Sequence, residues 1–161
     1  MTAFKKLQEN NNIQELIKST FDADLELAGN WGYTKEKATI IEAIQEGMPL
    51  SQMEHMVTSI RAHLEMNITQ EQENRCAGIN ANERAREESR SEEGIYNKVT
   101  YEITAMKEDL YTAFIKEYKE GYGKEDFDLN EHFKRRKEAT LTREVVHYFE
   151  VSRVQQAPNK H

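Results

Sequence analysis

Cys76 is the single cysteine of the chain and its most nucleophilic side chain. A cysteine becomes a catalytic nucleophile when a neighbouring base or positive charge lowers the pKa of its thiol. The neighbours Arg75, Ala77 and Gly78 supply one positive charge and no histidine. Motifs of serine hydrolases, phosphate-binding loops and zinc peptidases are also absent from the sequence. We therefore predict that the protein is not an enzyme, and a lone cysteine excludes an internal disulfide.

Glu144 and His147 have the spacing that sets a carboxylate and an imidazole on one face of a helix. Four-helix di-iron proteins use two such pairs together with two further glutamates. A second pair is missing here, because the residues three positions before His55, His63 and His132 are not acidic. On one helix, His55 and His63 would lie about 12 Å apart along the axis, too far to share one ion. We expect no metal site and no cofactor.

Asp126, Asp128 and Asn130 have the spacing of the first three ligands in a calcium-binding loop. The pattern then fails, because Glu131 stands where the loop needs glycine and Lys137 stands where it needs a bidentate glutamate. Asp128 followed three residues later by glutamate is instead typical of the start of a helix. We therefore predict a helix that begins after Asp128 and no calcium site.

Aromatic residues suggest a different chemistry, the binding of another protein. The chain has seven tyrosines, six phenylalanines and six methionines, and such side chains often supply the binding energy of protein interfaces. Tyr111, Tyr118 and Tyr122 lie at and just beyond the end of the longest apolar stripe. We predict that these three tyrosines are exposed and contact a protein partner.

Residues 132–137 carry a basic cluster that could contact nucleic acid. Its members are Lys134, Arg135, Arg136 and Lys137. Glu138 follows at once, so a solvated or internally paired helix face explains the cluster better than a phosphate-binding surface does.

Residues 39–61 have part of the pattern of a DNA-binding helix-turn-helix. Ala43 is the small residue that such a motif packs, and Gly47 is its turn. Glu42 and Glu46 stand where the motif usually buries apolar groups, so an ordinary helical hairpin is the better interpretation. A DNA-binding regulator, using this segment or the basic cluster, remains the alternative function.

Charge and composition limit the kinds of partner. The net charge is −7; seven basic and three acidic residues from position 132 onward give +4, which leaves −11 for residues 1–131. An acidic body argues against nucleic acid as the main partner. The hydrophobic content is 37%, below the usual range of about 45–50%, so we expect a thin core that a second copy or another protein completes.

Residues 1–10 lack the apolar stretch of a leader peptide, so we expect none, and no uncharged run approaches the length of about 18 residues that a membrane span needs. We therefore expect a cytoplasmic protein that does not contact a membrane.

A series of helices is predicted to position these residues. Two prolines and seven glycines leave few helix breakers, and apolar residues recur at three- and four-residue steps. The clearest predicted helix covers 92–120, with an apolar stripe of Ile95, Val99, Ile103, Met106, Leu110 and Phe114. Residues 69–93 contain one large aliphatic side chain, Ile79, and are predicted to form a polar helix or a mobile linker.

We predict an all-α fold, either a five- or six-helix bundle or two helical lobes joined by the polar segment. The single domain, 1–161, would divide into a three-helix unit (1–68), a polar connector (69–93) and a C-terminal helical hairpin (94–156). Within these units, Thr34 and Gly47 would bound a short helix, Ser51 and Glu54 would form the capping box of the next helix, and residues 141–154 would form a last amphipathic segment. A homodimer would form through the long helix. Such a chain is expected to act as an accessory, adaptor or inhibitor protein that binds a partner protein.

Overall fold

The computed structural model describes residues 6–8 and 12–154 of the chain. Within them the strands are β1 (Leu27–Gly29), β2 (Thr39–Ile41), β3 (Cys76–Ser91), β4 (Gly94–Lys107) and β5 (Leu141–Glu150). The helices are α1 (Ile13–Phe21), α2 (Leu50–His63), α3 (Glu108–Gly121) and α4 (Leu129–Ala139). A π-helical turn, Leu64–Ile68, extends α2, and a 3-10 turn covers Gln72–Asn74. The predicted all-α fold is therefore wrong.

The five strands form one mixed sheet in the order β1-β2-β5-β4-β3. Neighbouring strands are antiparallel except β2 and β5, which run parallel. The predicted limits of the domain, residues 1 and 161, and the predicted end of the hairpin at 156 lie outside the described residues.

The predicted long helix is instead β4 followed by the shorter helix α3. A spacing of four residues fits one face of a helix and also one face of a strand, whose side chains alternate. The residues between the stripe members decide the matter, because Asn97, Tyr101 and Ala105 are buried on the same face as Val99 and Ile103. The helix on which we based the homodimer therefore does not exist.

Residues 69–93 form the 3-10 turn and β3 instead of a polar helix or linker. β3 pairs with β4 along most of its length, and the last pair is Ser91 with Gly94. Gly94 has a φ of 142°, a backbone conformation that favours glycine. Glu and Arg prefer helices by only a few tenths of a kcal/mol each, so the long antiparallel pairing outweighs their preference.

The predicted helices at 34–47 and 141–154 are also wrong. β2 occupies 39–41, and β5 pairs with β4 over ten residues and with β2 over two. Gly47 does have the predicted left-handed backbone, with a φ of 81°, but no helix precedes it. The first helix of the suggested helix-turn-helix is therefore missing.

Three predicted helices are confirmed in whole or in part. The helix predicted after a cap at Ser51 is present as α2, but it begins at Leu50, its N-cap is Pro49 and no side chain caps it. α3 ends at Gly121, as the glycines there predict. α4 begins after Asp128, whose side chain accepts a hydrogen bond from the backbone N–H of Glu131 at 3.1 Å.

The core lies on one face of the sheet, beneath α1 and α2. Ile13 and Ile17 of α1 and Met53 and Val57 of α2 are fully buried there. On β4, the side chains that alternate with the buried ones, such as Lys98, are half-exposed. This alternation is typical of an antiparallel sheet with one covered face. In the part of the chain that the structure describes, no helix has the length and apolar character needed to cross a membrane.

Candidate functional site

α3 and α4 form a helical hairpin between β4 and β5 that stands apart from the core. None of the described side chains of α3 is buried, and His132 is the single buried one of α4. α3 also contacts β3, β4 and the 3-10 turn. At the C-terminal end of α3, the Phe127 ring packs directly against Gly121. A larger residue at position 121 would displace the ring, because its Cβ would lie 2.4 Å from a ring carbon. The hairpin is thus held both by contacts between its own two helices and by contacts of α3 with the sheet and the 3-10 turn.

His132 is the centre of the hairpin. Its imidazole is fully buried and contacts four aromatic rings at centroid distances of 5.2–5.8 Å. The rings belong to Phe114, Tyr118, Phe127 and Phe133. The Nδ1 atom of His132 is hydrogen-bonded to the Glu117 carboxylate. One side chain therefore joins α3, α4 and the loop between them.

Arg135 adds a second link across the hairpin. Its guanidinium donates a hydrogen bond of 2.8 Å to Glu117 and lies 3.4 Å from Glu131. Arg135, with a smaller contribution from His132, lowers the pKa of the Glu117 carboxyl. Because Arg135 is engaged by two carboxylates, this member of the predicted nucleic-acid contact is an internally paired residue.

A patch of apolar side chains covers the outer side of the hairpin. We call it the aromatic patch; it consists of Tyr118, Tyr122, Leu129 and Phe133. The Tyr118 ring lies 5.3 Å from Tyr122 and 6.0 Å from Phe133. Tyr122 is 67% exposed, Phe133 45% and Leu129 39%. With Leu110, the hairpin holds four of the five exposed large apolar side chains in the described residues.

Three basic residues border the aromatic patch. Lys134 and Lys137 are exposed, and Arg136 is half-buried with its guanidinium 5.5 Å from the centre of the Phe133 ring. An arginine over an aromatic ring keeps its charge available to a partner while its stem covers apolar surface. The structure thus brings two of the three predicted tyrosines next to the predicted basic cluster.

Tyr111 lies elsewhere. Its ring packs against Gly78 of β3, where a Cβ would lie 2.7 Å from the ring, so any larger residue at position 78 would displace it. Gly78 also has a φ of 62°. Tyr111 therefore attaches α3 to the sheet and is not part of the aromatic patch.

A set of buried polar residues, which the sequence analysis did not predict, lies between α2 and the sheet. Glu54, Thr58, Arg61 and Glu65 follow each other at helical spacing and are all buried. We call them the buried polar stripe. Four polar residues at this spacing usually mark the solvated face of a helix. The sequence did contain a signal for this stripe: a regular row of polar and charged residues lies next to an equally regular row of apolar residues on the predicted helix.

Glu54 is fully buried and paired with two side chains of the sheet. It accepts hydrogen bonds of 2.8 Å from Asn97 and from Arg86. Burial raises the pKa of its carboxyl, although Asn97 and Arg86 both act in the opposite direction. Glu54 is therefore engaged from both sides and does not form the capping box that the sequence suggests with Ser51.

Thr58 and Thr39 hold His147 between them. The Thr39 hydroxyl donates to the Asn30 carbonyl at 2.6 Å, so it accepts from Nε2 of His147 at 2.9 Å. Nδ1 then accepts from the Thr58 hydroxyl, also at 2.9 Å. This arrangement needs a neutral imidazole. Burial, with a smaller effect of Arg61, holds the pKa of His147 well below its usual range.

Arg61 and Glu65 complete the stripe. Arg61 is 2% exposed and donates to the backbone carbonyls of Trp31 and Val146 at 3.1 and 3.0 Å. Glu65 accepts from the Tyr33 hydroxyl and, at 3.0 Å, from Arg143. Every member of the stripe therefore has protein partners. The stripe orients α2 on the sheet and presents no free acid, base or nucleophile to a substrate.

The structure does not support the other candidate metal-binding and nucleophilic residues. Glu144 and His147 lie three residues apart on strand β5, where Glu144 is exposed and His147 is buried, so they cannot bind one ion. Asp128 caps α4. Cys76 is buried, and burial raises the pKa of its thiol. Among the described residues, no group of three or more histidine, cysteine or acidic side chains could hold a metal.

Comparison of the chain with protein-family models, with curated proteins and with solved structures found no match. The aromatic patch and its basic border are therefore the features from which a function is argued.

Proposed function

We propose that this protein is a non-enzymatic interaction protein, of the accessory, adaptor or inhibitor kind, that binds an acidic and apolar segment of a partner protein on its α3–α4 hairpin. One observation carries the proposal: among the described residues, most of the exposed large apolar side chains lie on this hairpin, next to three basic residues. A cytoplasmic location belongs to the proposal and rests on the single cysteine.

The patch has the composition of a binding hot spot. Tyrosine, arginine and other large side chains supply most of the binding energy at protein interfaces, provided that the partner excludes water from them. Phe133 and Tyr122 offer the apolar area. Lys134, Lys137 and Arg136 attract carboxylates at the edge and increase the rate of association. An amphipathic segment with acidic residues beside its apolar face fits both properties.

Single-stranded nucleic acid is the alternative occupant, since aromatic and basic side chains together also bind stacked bases. Acidic side chains on the same hairpin argue against it. Glu131 and Glu138 alternate with the basic residues of α4, and Glu125, Asp126 and Asp128 lie in the preceding loop. A nucleic acid carries one negative charge per nucleotide and would have to pass these carboxylates, whereas a peptide can place a few acidic residues at the basic border alone.

Selection of random displayed peptides on the full chain tests the proposal. We expect the enriched peptides to combine Asp or Glu with Leu, Phe or Trp, and to lose at least tenfold in affinity when Tyr122 and Phe133 are both replaced by Ala. The matched control is Tyr96→Ala, which alters an aromatic residue on the uncovered face of the sheet. Enrichment of basic peptides, or binding that is insensitive to the double variant, would contradict the proposal.

Charge reversal tests the basic border. Lys134→Glu with Lys137→Glu should weaken the selected acidic peptides about tenfold and reduce their dependence on salt, whereas Lys98→Glu on the sheet should not. Fluorescently labelled oligothymidylate is the second probe. Salt-sensitive binding of that oligonucleotide, lost in Lys134→Ala with Lys137→Ala, would replace the peptide proposal with the nucleic-acid alternative.

A further inference from the structure

A cavity of about 520 Å³ lies between α1 and the C-terminal end of α2, remote from the hairpin. Leu16 of α1, the buried Trp31, and Leu64 and Ile68 of the π-helical turn form much of its lining, together with Leu7. Ile68 is 47% exposed and is the one exposed large apolar side chain of the described residues outside the hairpin. The volume is in the range of small-molecule sites, about 300–1,000 Å³.

The π-helical turn that forms one wall is held rigidly. The Thr69 hydroxyl donates to the Leu64 carbonyl at 2.7 Å, and the Asn67 amide donates to the Cys76 carbonyl at 2.7 Å. π-helical turns are rare and frequently occur at functional sites. Here the turn places Leu64 and Ile68 on the same cavity. The wall is therefore formed before any ligand binds.

The charged groups next to the cavity, Glu65 with Arg61 and Arg143, are paired with one another and do not line it. The Tyr33 hydroxyl accepts from the backbone N–H of Leu7 at 2.9 Å and donates to Glu65. Glu65 is also paired with Arg143. This leaves Lys6 as the one charged side chain among the described residues that line the cavity. Lys6 is exposed, with its ammonium 5.4 Å from the centre of the Tyr33 ring.

We propose that this cavity binds an amphipathic monoanion, a medium-chain carboxylic acid. The alkyl chain would occupy the apolar lining around Trp31, and the carboxylate would pair with Lys6. The chemistry follows from the lining, because an apolar interior with a few placed polar groups sets both affinity and orientation. This site is separate from the hairpin and does not depend on the function proposed for it.

Trp31 is the only tryptophan in the chain, so its fluorescence reports directly on the cavity. Titration of the full chain with decanoate, below its micelle concentration, should give a saturable change in emission. Lys6→Gln should weaken decanoate about tenfold and leave decanol binding unchanged. Lys98→Gln is the matched control and should bind decanoate as the unaltered protein does.

A second variant tests the location. Thr20 is exposed at the edge of the cavity, so Thr20→Phe should reduce its volume without disturbing the core, and a thermal melt checks the fold. We expect decanoate binding to be lost. Absence of saturable binding to the unaltered protein, by fluorescence and by calorimetry, would overturn the proposal. Equal decanoate affinity in Lys6→Gln would overturn the role of the carboxylate, and undiminished binding to Thr20→Phe would overturn the location.

Discussion

The interface of α2 with the sheet and the α3–α4 hairpin distribute polar and apolar groups in opposite ways. α2 and the π-helical turn that extends it direct a carboxylate, a hydroxyl, a guanidinium and a second carboxylate into the protein, and each has a partner there. The hairpin instead exposes Tyr122, Leu129 and Phe133 to solvent. In this protein, residue type alone does not tell which side chains stabilise the fold and which lie on the surface proposed to bind a partner; exposure does.

The two regions also differ in how their charges are used. Glu54 and Arg61 are buried, and burying a charged group is costly unless it is paired. Their pairing with groups of the sheet therefore fixes the position of α2 on it. Glu117 and Arg135 interact on the surface, where water screens them. Loss of a partner should therefore be severe in the first region and mild in the second.

The largest effect is expected from Arg61→Ala. The substitution leaves the Trp31 and Val146 carbonyls without a donor and removes a positive charge beside the buried Glu65. Removing one partner of a buried charged network costs about 3–5 kcal/mol. Urea unfolding should show a loss of that size in the free energy of unfolding.

Arg135→Ala is the matched arginine variant on the hairpin, and we expect its unfolding midpoint to lie close to that of the unaltered protein. Arg61→Lys should remain clearly destabilised, because an ammonium group cannot reproduce the two-pronged donation of a guanidinium. Equal, small effects of the two alanine variants would contradict the contrast between the regions.

The second-largest effect is expected from His147, which should make the stability of the protein depend on pH. In the unfolded chain its pKa is about 6.5, whereas burial lowers the pKa in the folded protein far below that. Below pH 6.5 the unfolded chain therefore binds a proton that the folded chain does not, so stability decreases as the pH is lowered. One unit below pH 6.5 the loss is about 1.4 kcal/mol.

The free energy of unfolding, measured between pH 7.5 and 5.5 for the unaltered protein and two variants, tests this prediction. His147→Gln should have lost most of the dependence, whereas His63→Gln, which alters a half-buried histidine, should keep it. If the His147 variant has the same slope as the unaltered protein, the buried neutral imidazole is not the cause.

The smallest effect is expected at the helix caps. Asp128→Ala removes the side chain that accepts from the Glu131 N–H, and the loss of such a cap costs about 1 kcal/mol. Ser51→Ala should cost much less, because α2 has no side-chain cap. Amide hydrogen exchange should show the change in α4 while α2 keeps its protection. Comparable losses at both positions would contradict the assignment of the caps.

Several local features could be predicted from sequence because a few neighbouring residues determine them. The Asp128 cap, the end of α3 at Gly121 and the amphipathic helix after Pro49 are of this kind. Of the three tyrosines predicted to be exposed, Tyr122 is exposed, whereas Tyr111 and Tyr118 are half-buried. The aromatic patch as a unit did not follow, because it needs α3 and α4 to lie side by side, and that depends on the contacts of His132 with both.

The strands were missed for a physical reason. Ile95, Val99 and Ile103 on β4, and Leu141, Val145 and Phe149 on β5, recur every four residues, a spacing common to both helical and extended periodicities. β3 contains helix-favouring residues and becomes a strand only because β4 pairs with it along its length. Pairing of this kind depends on residues distant in sequence.

The sequence by itself determined the local features: where α2, α3 and α4 begin or end, and an acidic body with a basic segment near the C-terminus. Only the tertiary structure decided that residues 76–107 form a hairpin of strands, that Glu54 and Arg61 lie inside, and that Phe133 lies outside. Caps and glycine turns depend on energies within a few residues. Strand pairing and the burial of charge depend on partners that folding alone brings together.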